Sequence, residues 1–114
     1  MTETVNLLSF SPYYGGSGRQ ITATSVSARV AIPGIAGGGD DIQSKRIVVS
    51  NGGSVSAYVR MGDQNIEATV ESYHILPGTK EVLTPPYPGT GTTYIAAITA
   101  SSSTTINICS GTGT

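Results

Sequence analysis

A chain of 114 residues with 38% hydrophobic content has room for one domain and a single modest core. Its 6 Lys and Arg against 7 Asp and Glu leave a formal net charge of −1 and no basic stripe of the kind nucleic acid requires. The 1 Cys excludes an internal disulfide, and no segment approaches the length of a membrane-spanning helix.

Trp is absent, Phe occurs once, and Val, Ile and Ala supply most apolar positions. Charged residues make up 11% of the chain, well below the roughly 25% of ordinary soluble domains. Ser, Thr and Gly fill the difference. Repeated alternation of these residues with aliphatics favours a structural β protein over disorder. No apolar run near Glu3 has the length of a signal peptide, so synthesis in a cytoplasm is expected.

Residues 1–18 read as an N-terminal arm, and residues 19–114 as one β domain. Asn6 to Phe10 is a short apolar patch, and Pro12 followed by Gly15, Gly16 and Gly18 breaks any regular element. One reading is an edge strand and a loop. The other is an extension lying on a partner, with Leu7, Leu8, Phe10, Tyr13 and Tyr14 as anchors. Gln20 to Ile32 then reads as one long strand, with Val26, Ala28, Val30 and Ile32 on one face, ended by Pro33-Gly34. Gly37 to Asp41 is a loop. Its adjacent acids invite a calcium reading, but the ligand spacing of a calcium-binding loop is missing.

Ser44 to Met61 is the most legible stretch. Val55, Ala57, Val59 and Met61 alternate with Ser54, Ser56, Tyr58 and Arg60, and Asn51-Gly52-Gly53 precedes them. The period of two predicts a half-buried strand, and the Asn-Gly pair predicts a tight β-hairpin turn. Ile66 to Val70 is read as a short strand. Tyr73 to Leu76 leads into Pro77-Gly78, a type II turn signal, and Thr79 to Leu83 resumes as a strand. Thr84 to Gly91 is too proline-rich for a central strand. Thr93 to Ala100 is apolar on both faces and predicts a central strand. Thr104 to Ser110 closes the domain, with Ile106 and Ile108 inward and Cys109 as a buried structural thiol. The sum is all-β: an antiparallel sandwich, jelly-roll-like, with an extended N-terminal arm.

Catalytic motifs are absent. The sole His is His74, and no Ser sits in a Gly-x-Ser-x-Gly elbow. A thiol–imidazole pair of Cys109 and His74 has nothing further behind it. His74 and Glu81 could begin a jelly-roll metal site, but two ligands do not hold a catalytic transition metal. The expectation is no enzyme, no cofactor, no metal and no small-molecule substrate.

With these residues laid out, the chain resembles the small all-β decoration, or cement, proteins of tailed-bacteriophage capsids. The resemblance rests on Ile47 to Gly53, Ala57 to Asp63, Ile75 to Val82, the Tyr94 to Ile98 strand and the Ser/Thr-rich closing strand. It implies a virion structural protein that binds the outer face of a shell and bridges neighbouring major capsid proteins, as a homo-oligomer, without nucleic acid or membrane. Repeated weak contacts would then supply avidity. The alternative is a receptor- or carbohydrate-binding module of a phage fibre or tail, with Tyr13, Tyr14, Tyr58, Tyr73 and Tyr87 available to stack on sugars.

Overall fold

The computed structural model describes residues 10–12, 18–36, 45–85 and 92–113. Among the described residues nine strands run in chain order: β1 (Phe10–Pro12), β2 (Gly18–Ala23), β3 (Ala28–Ala36), β4 (Lys45–Asn51), β5 (Ala57–Gly62), β6 (Tyr73–Ile75), β7 (Lys80–Leu83), β8 (Thr92–Ile98) and β9 (Thr104–Gly113). One sheet has the order β1-β9-β4-β7, with β2 also on β9; the other has the order β3-β8-β5-β6. Every pairing is antiparallel.

The connectivity has a simple logic. β5 pairs β6, β4 pairs β7, β3 pairs β8 and β2 pairs β9. The chain is therefore one long hairpin folded over on itself, its tip being the link between β5 and β6. The pairings β9–β4 and β8–β5 knit successive layers into two sheets. This is the jelly-roll arrangement. β1 extends the edge formed by β2, since β2 takes Thr104–Cys109 of β9 and β1 takes Gly111–Gly113.

The expected hairpin at Asn51-Gly52-Gly53 does not form: β4 and β5 lie in different sheets. The face assignment was right and the pairing was wrong. Ile47, Val49 and Asn51 look into the core from one sheet; Ala57 and Val59 look into it from the other. The link between them is an arch across the sandwich. Among the described glycines only Gly78 has positive φ, so Gly52 and Gly53 do not make the left-handed turn that a two-residue hairpin needs. Gly53 is instead a close approach: a Cβ there would overlap the Thr104 hydroxyl and lie 3.0 Å from the Thr104 Cα.

Two further strand readings are revised. The stretch from Gln20 to Ile32 is two strands in two sheets, broken at Thr24–Ser27, where Thr24 Oγ1 accepts from the Val26 amide at 3.2 Å. Val26 keeps the parity of Ala28 and Val30 yet is 73% exposed at the turn. β3 also continues past Pro33-Gly34 to Ala36 through a register shift against β8. Ile66 to Val70 is not a strand. Its amides bond outside any strand ladder: the Ile66 amide bonds Asp63 O and the Ser72 amide bonds Thr69 O within local turns, and the Ala68 amide bonds the distant Ser27 Oγ. Ile66 packs where Gly62 lacks a side chain, and Ala68 reaches the start of β3. The segment thus crosses the outer face of the second sheet, where Ala96 is fully buried.

Other readings hold. β8 is central, between β3 and β5, and Ile95, Ala96 and Ala97 are each 0% exposed. Pro77-Gly78 turns with Gly78 at φ 73° and the Thr79 amide bonded to Leu76 O. Ile106 and Ile108 point inward. Cys109 differs: it alternates with them, opposes Val48, and is half-buried on the outer face.

The core is aliphatic: Ile21, Ile32, Ile47, Val49, Val59, Ile75, Ile95, Ile106 and Ile108, with Ala23, Ala57 and Ala97. Burying each branched side chain contributes roughly 1.5–3 kcal/mol. Among the described residues, Asn51 brings a carboxamide into this core with every hydrogen-bonding position used. Asn51 is 1% exposed. Its Nδ2 donates to Val55 O at 2.8 Å and Ile75 O at 3.1 Å; its Oδ1 accepts from the Gly53 amide at 3.1 Å and from Thr104 Oγ1 at 2.6 Å. Replacing Asn51 with Ala strands four partners in or near the interior, and the expected loss is about 2–4 kcal/mol in urea unfolding. A double-mutant cycle with Thr104→Val should show a coupling of about 1 kcal/mol or more; strict additivity would contradict a shared network.

Candidate functional site

The two edges on one side of the sandwich are short. β6 has 3 residues and stops at the Val59 level of β5, so Met61 has no β6 neighbour. β7 has 4 residues, ending at Leu83 opposite Ile47. The sandwich opens between these edges. A cleft of about 390 Å³ lies there, lined by Val59, Arg60, Met61, Tyr73, Leu83 and Thr84. Its volume falls within the range of ligand-sized sites.

The strand pleat decides what faces it. Tyr73 opposes Val59 and Glu81 opposes Val49; both valines are core residues, so Tyr73 and Glu81 are directed toward the space between the sheets. They meet there. The Tyr73 hydroxyl donates to Glu81 Oε1 at 3.1 Å, linking the edge of one sheet to the edge of the other. This bond, with the carboxylate's charge close by, raises the Tyr73 pKa above its usual 10.0. Tyr73 is 50% exposed; Leu76, just after β6, and Val82, on the outer face of β7, are also exposed.

His74 goes the other way. It opposes Tyr58 on the outer face, and the two rings stack with centroids 4.9 Å apart and planes 17° off parallel. His74 and Glu81 therefore sit on opposite sides of the pleat and do not converge as ligands. Among the described residues no three His, Cys, Asp or Glu side chains group around a common point. Phe10, one of the expected anchors, lies half-buried in β1 opposite Gly113. Leu7, Leu8, Tyr13 and Tyr14 lie outside the described residues, as do Tyr87 and the Gly37–Asp41 loop.

Sequence reasoning passed over Val59, Met61 and Leu83 as a site because alternation marks them as core. No local signal separates a core aliphatic from one lining an open edge. Tyr73 and Glu81 were noticed singly, each for a different chemistry.

No protein-family model matches the chain, and no curated protein matches it. Among solved structures it is similar to the crystal structure of PirA, with a TM-score of 0.55 and 13% identity, over 85% of this chain and 95% of that one. PirA, the Photorhabdus insect-related toxin A, is a β-sandwich toxin component. At that identity the likeness speaks to the fold. It corrects the capsid-decoration reading: the structural match is to a toxin component and not to a phage shell protein. The physical reason is that Asn51-Gly52-Gly53 and Leu76-Pro77-Gly78-Thr79 are arch and turn devices of any jelly roll, independent of what the domain binds. The phage fibre or tail reading is set aside with it.

The Tyr73–Glu81 bond has a pH signature. A raised phenol pKa means the folded state holds this proton more tightly than the unfolded chain does. Its contribution to stability is intact below pH 10.0 and is lost as pH rises through the higher folded value. In an NMR titration of labelled tyrosine, Tyr73 should deprotonate above the usual range, and Glu81→Gln should bring it down. An unchanged midpoint in that variant would remove Glu81 as the cause.

Proposed function

We propose that this chain is a non-catalytic recognition module that docks through the open β6–β7 edge, acting as the binding component of a toxin made of more than one protein. The observation that carries this is the apolar cleft between the sheets with exposed Tyr73 in its lining, on an edge that also exposes Leu76 after β6 and Val82 on the outer face of β7. A cleft of aliphatic lining with few polar groups at its mouth suits binding, and large exposed apolar side chains around it are what an interface core uses. The divergence of His74 and Glu81 supports a reading without metal chemistry. The toxin context comes from PirA, which is a binary insecticidal toxin subunit; a shared jelly roll supports the same kind of role.

The test uses labelled full chain on cultured insect midgut epithelial cells. Binding is expected to be saturable and displaced by unlabelled protein. The double variant Leu76→Glu, Val82→Glu should weaken it about tenfold or more, since charge at the centre of an apolar contact removes a hot spot. Both positions are about half exposed or more, so thermal unfolding should move little. Absence of saturable binding would sink the toxin-component reading. Binding that survives both substitutions would remove the β6–β7 edge as the docking surface.

A further inference from the structure

We infer that the cleft seats a cationic side chain carried on an aliphatic stem, a lysine or arginine of the partner, with Glu81 as its counter-ion. This rests on the docking reading of the β6–β7 edge and names its chemistry.

The floor and the mouth of the cleft differ in kind. Val59, Met61 and Leu83 present methyl and methylene groups deep in the opening. A Lys or Arg stem lies naturally along such a surface while its head stays near polar groups. The mouth supplies those groups. Tyr73 lines the cleft, and its hydroxyl holds the Glu81 carboxylate by Oε1 at 3.1 Å. Oε2 receives no hydrogen bond among the described residues. It is free to accept from an ammonium or guanidinium, and the exposed tyrosine ring beside it can take the cation on its face.

Glu81 meets the cleft through Tyr73, and the other charges nearby are Lys80 and Arg60. Lys80 neighbours Glu81 in sequence but opposes Ser50, so it is directed to the outer face of its sheet and away from the carboxylate's side of the pleat. Arg60 contributes to the lining, yet it opposes Ala96 on the outer face of the other sheet. Among the described residues that line the cleft it is the charged one, and its presence favours the opposite ligand, an aliphatic acid.

The experiment separates these by head group at constant tail. Full-length protein with methyl-labelled methionine is titrated with pentylammonium, pentan-1-ol and pentanoate, and binding is read at the Met61 methyl. Pentylammonium is expected to bind about tenfold more tightly than either of the others. Glu81→Gln should erase that preference, and Lys80→Gln should leave it in place. A preference for pentanoate would overturn the proposal in favour of Arg60 as the recognising group. Equal binding of all three would also overturn it, leaving an apolar cleft and an intact docking edge. No shift at Met61 with any of them would overturn it by showing the cleft closed to a five-carbon tail. None of these results depends on cell binding, so failure here and failure of the recognition role are distinguishable.

Discussion

The buried carboxamide of Asn51 is the point on which the two sheets are referenced to each other. It ends β4 in one sheet, holds the arch at Val55 that begins the passage to β5, bonds β6 of the other sheet at Ile75 O, and receives Thr104 at the start of β9. Its main chain does the rest: the Asn51 amide bonds Thr79 O at 2.9 Å and its carbonyl accepts from Gly78 at 2.8 Å. An amide side chain has two donors and an acceptor with two lone pairs, and all are used. That matters in a core made otherwise of Ile, Val and Ala. Aliphatic packing is non-directional and tolerates sliding; a fully satisfied polar group fixes one register.

Fixing register there has consequences for the whole nested hairpin. The pairs β5–β6, β4–β7, β3–β8 and β2–β9 are wound outward from the 63–72 link, so an error near the tip would shift every later pair. Gly78 shows how tightly the device is drawn. Its φ of 73° closes the turn after β6, and the same backbone places its amide on Asn51 O. The second half of the hairpin then lengthens with distance from the tip: 3 residues in β6, 4 in β7, 7 in β8 and 10 in β9. Short strands next to the tip leave one side of the sandwich incompletely covered, and the cleft is that gap.

How much of this the sequence disclosed follows from what a period of two can report. It assigns a residue to a face, and it did so correctly for Ala57 and Val59 against Tyr58 and Arg60. The doubly apolar run in β8 disclosed a central strand for the same reason. The period does not say which strand lies alongside. β5 carries clean alternation and a hairpin-type dipeptide separates it from β4, yet the two strands belong to different sheets, because an arch preserves parity as well as a hairpin does. At the β2–β3 crossover the phase slips, from Ile21 and Ala23 facing the core to Ala28, Val30 and Ile32 facing it, and the small residues Thr24, Ser25 and Ser27 make that slip hard to see. The function was less legible still. The cleft is assembled from Val59, Met61, Tyr73 and Leu83, which only the nested pairing brings together.

Glu81 sharpens what the open edge can do. A carboxylate directed inward from an edge strand is a recognised guard against strand-on-strand pairing, because a partner strand docking there would have to desolvate it. Lys80 beside it adds a second guard on the outer face. On that account alone the edge would be closed to partners. Yet Tyr73, which lines an apolar opening, holds that carboxylate, while Val82 is exposed on the outer face of β7 and Leu76 is exposed after β6. Those features do not help exclude a strand; they add apolar surface where a guarded edge would minimise it. The combination blocks backbone addition while admitting a side chain. On the proposed docking role, recognition at this edge would run through a partner's side chains inserted between the sheets, with selectivity set by the groups beside the cleft rather than by ladder hydrogen bonds.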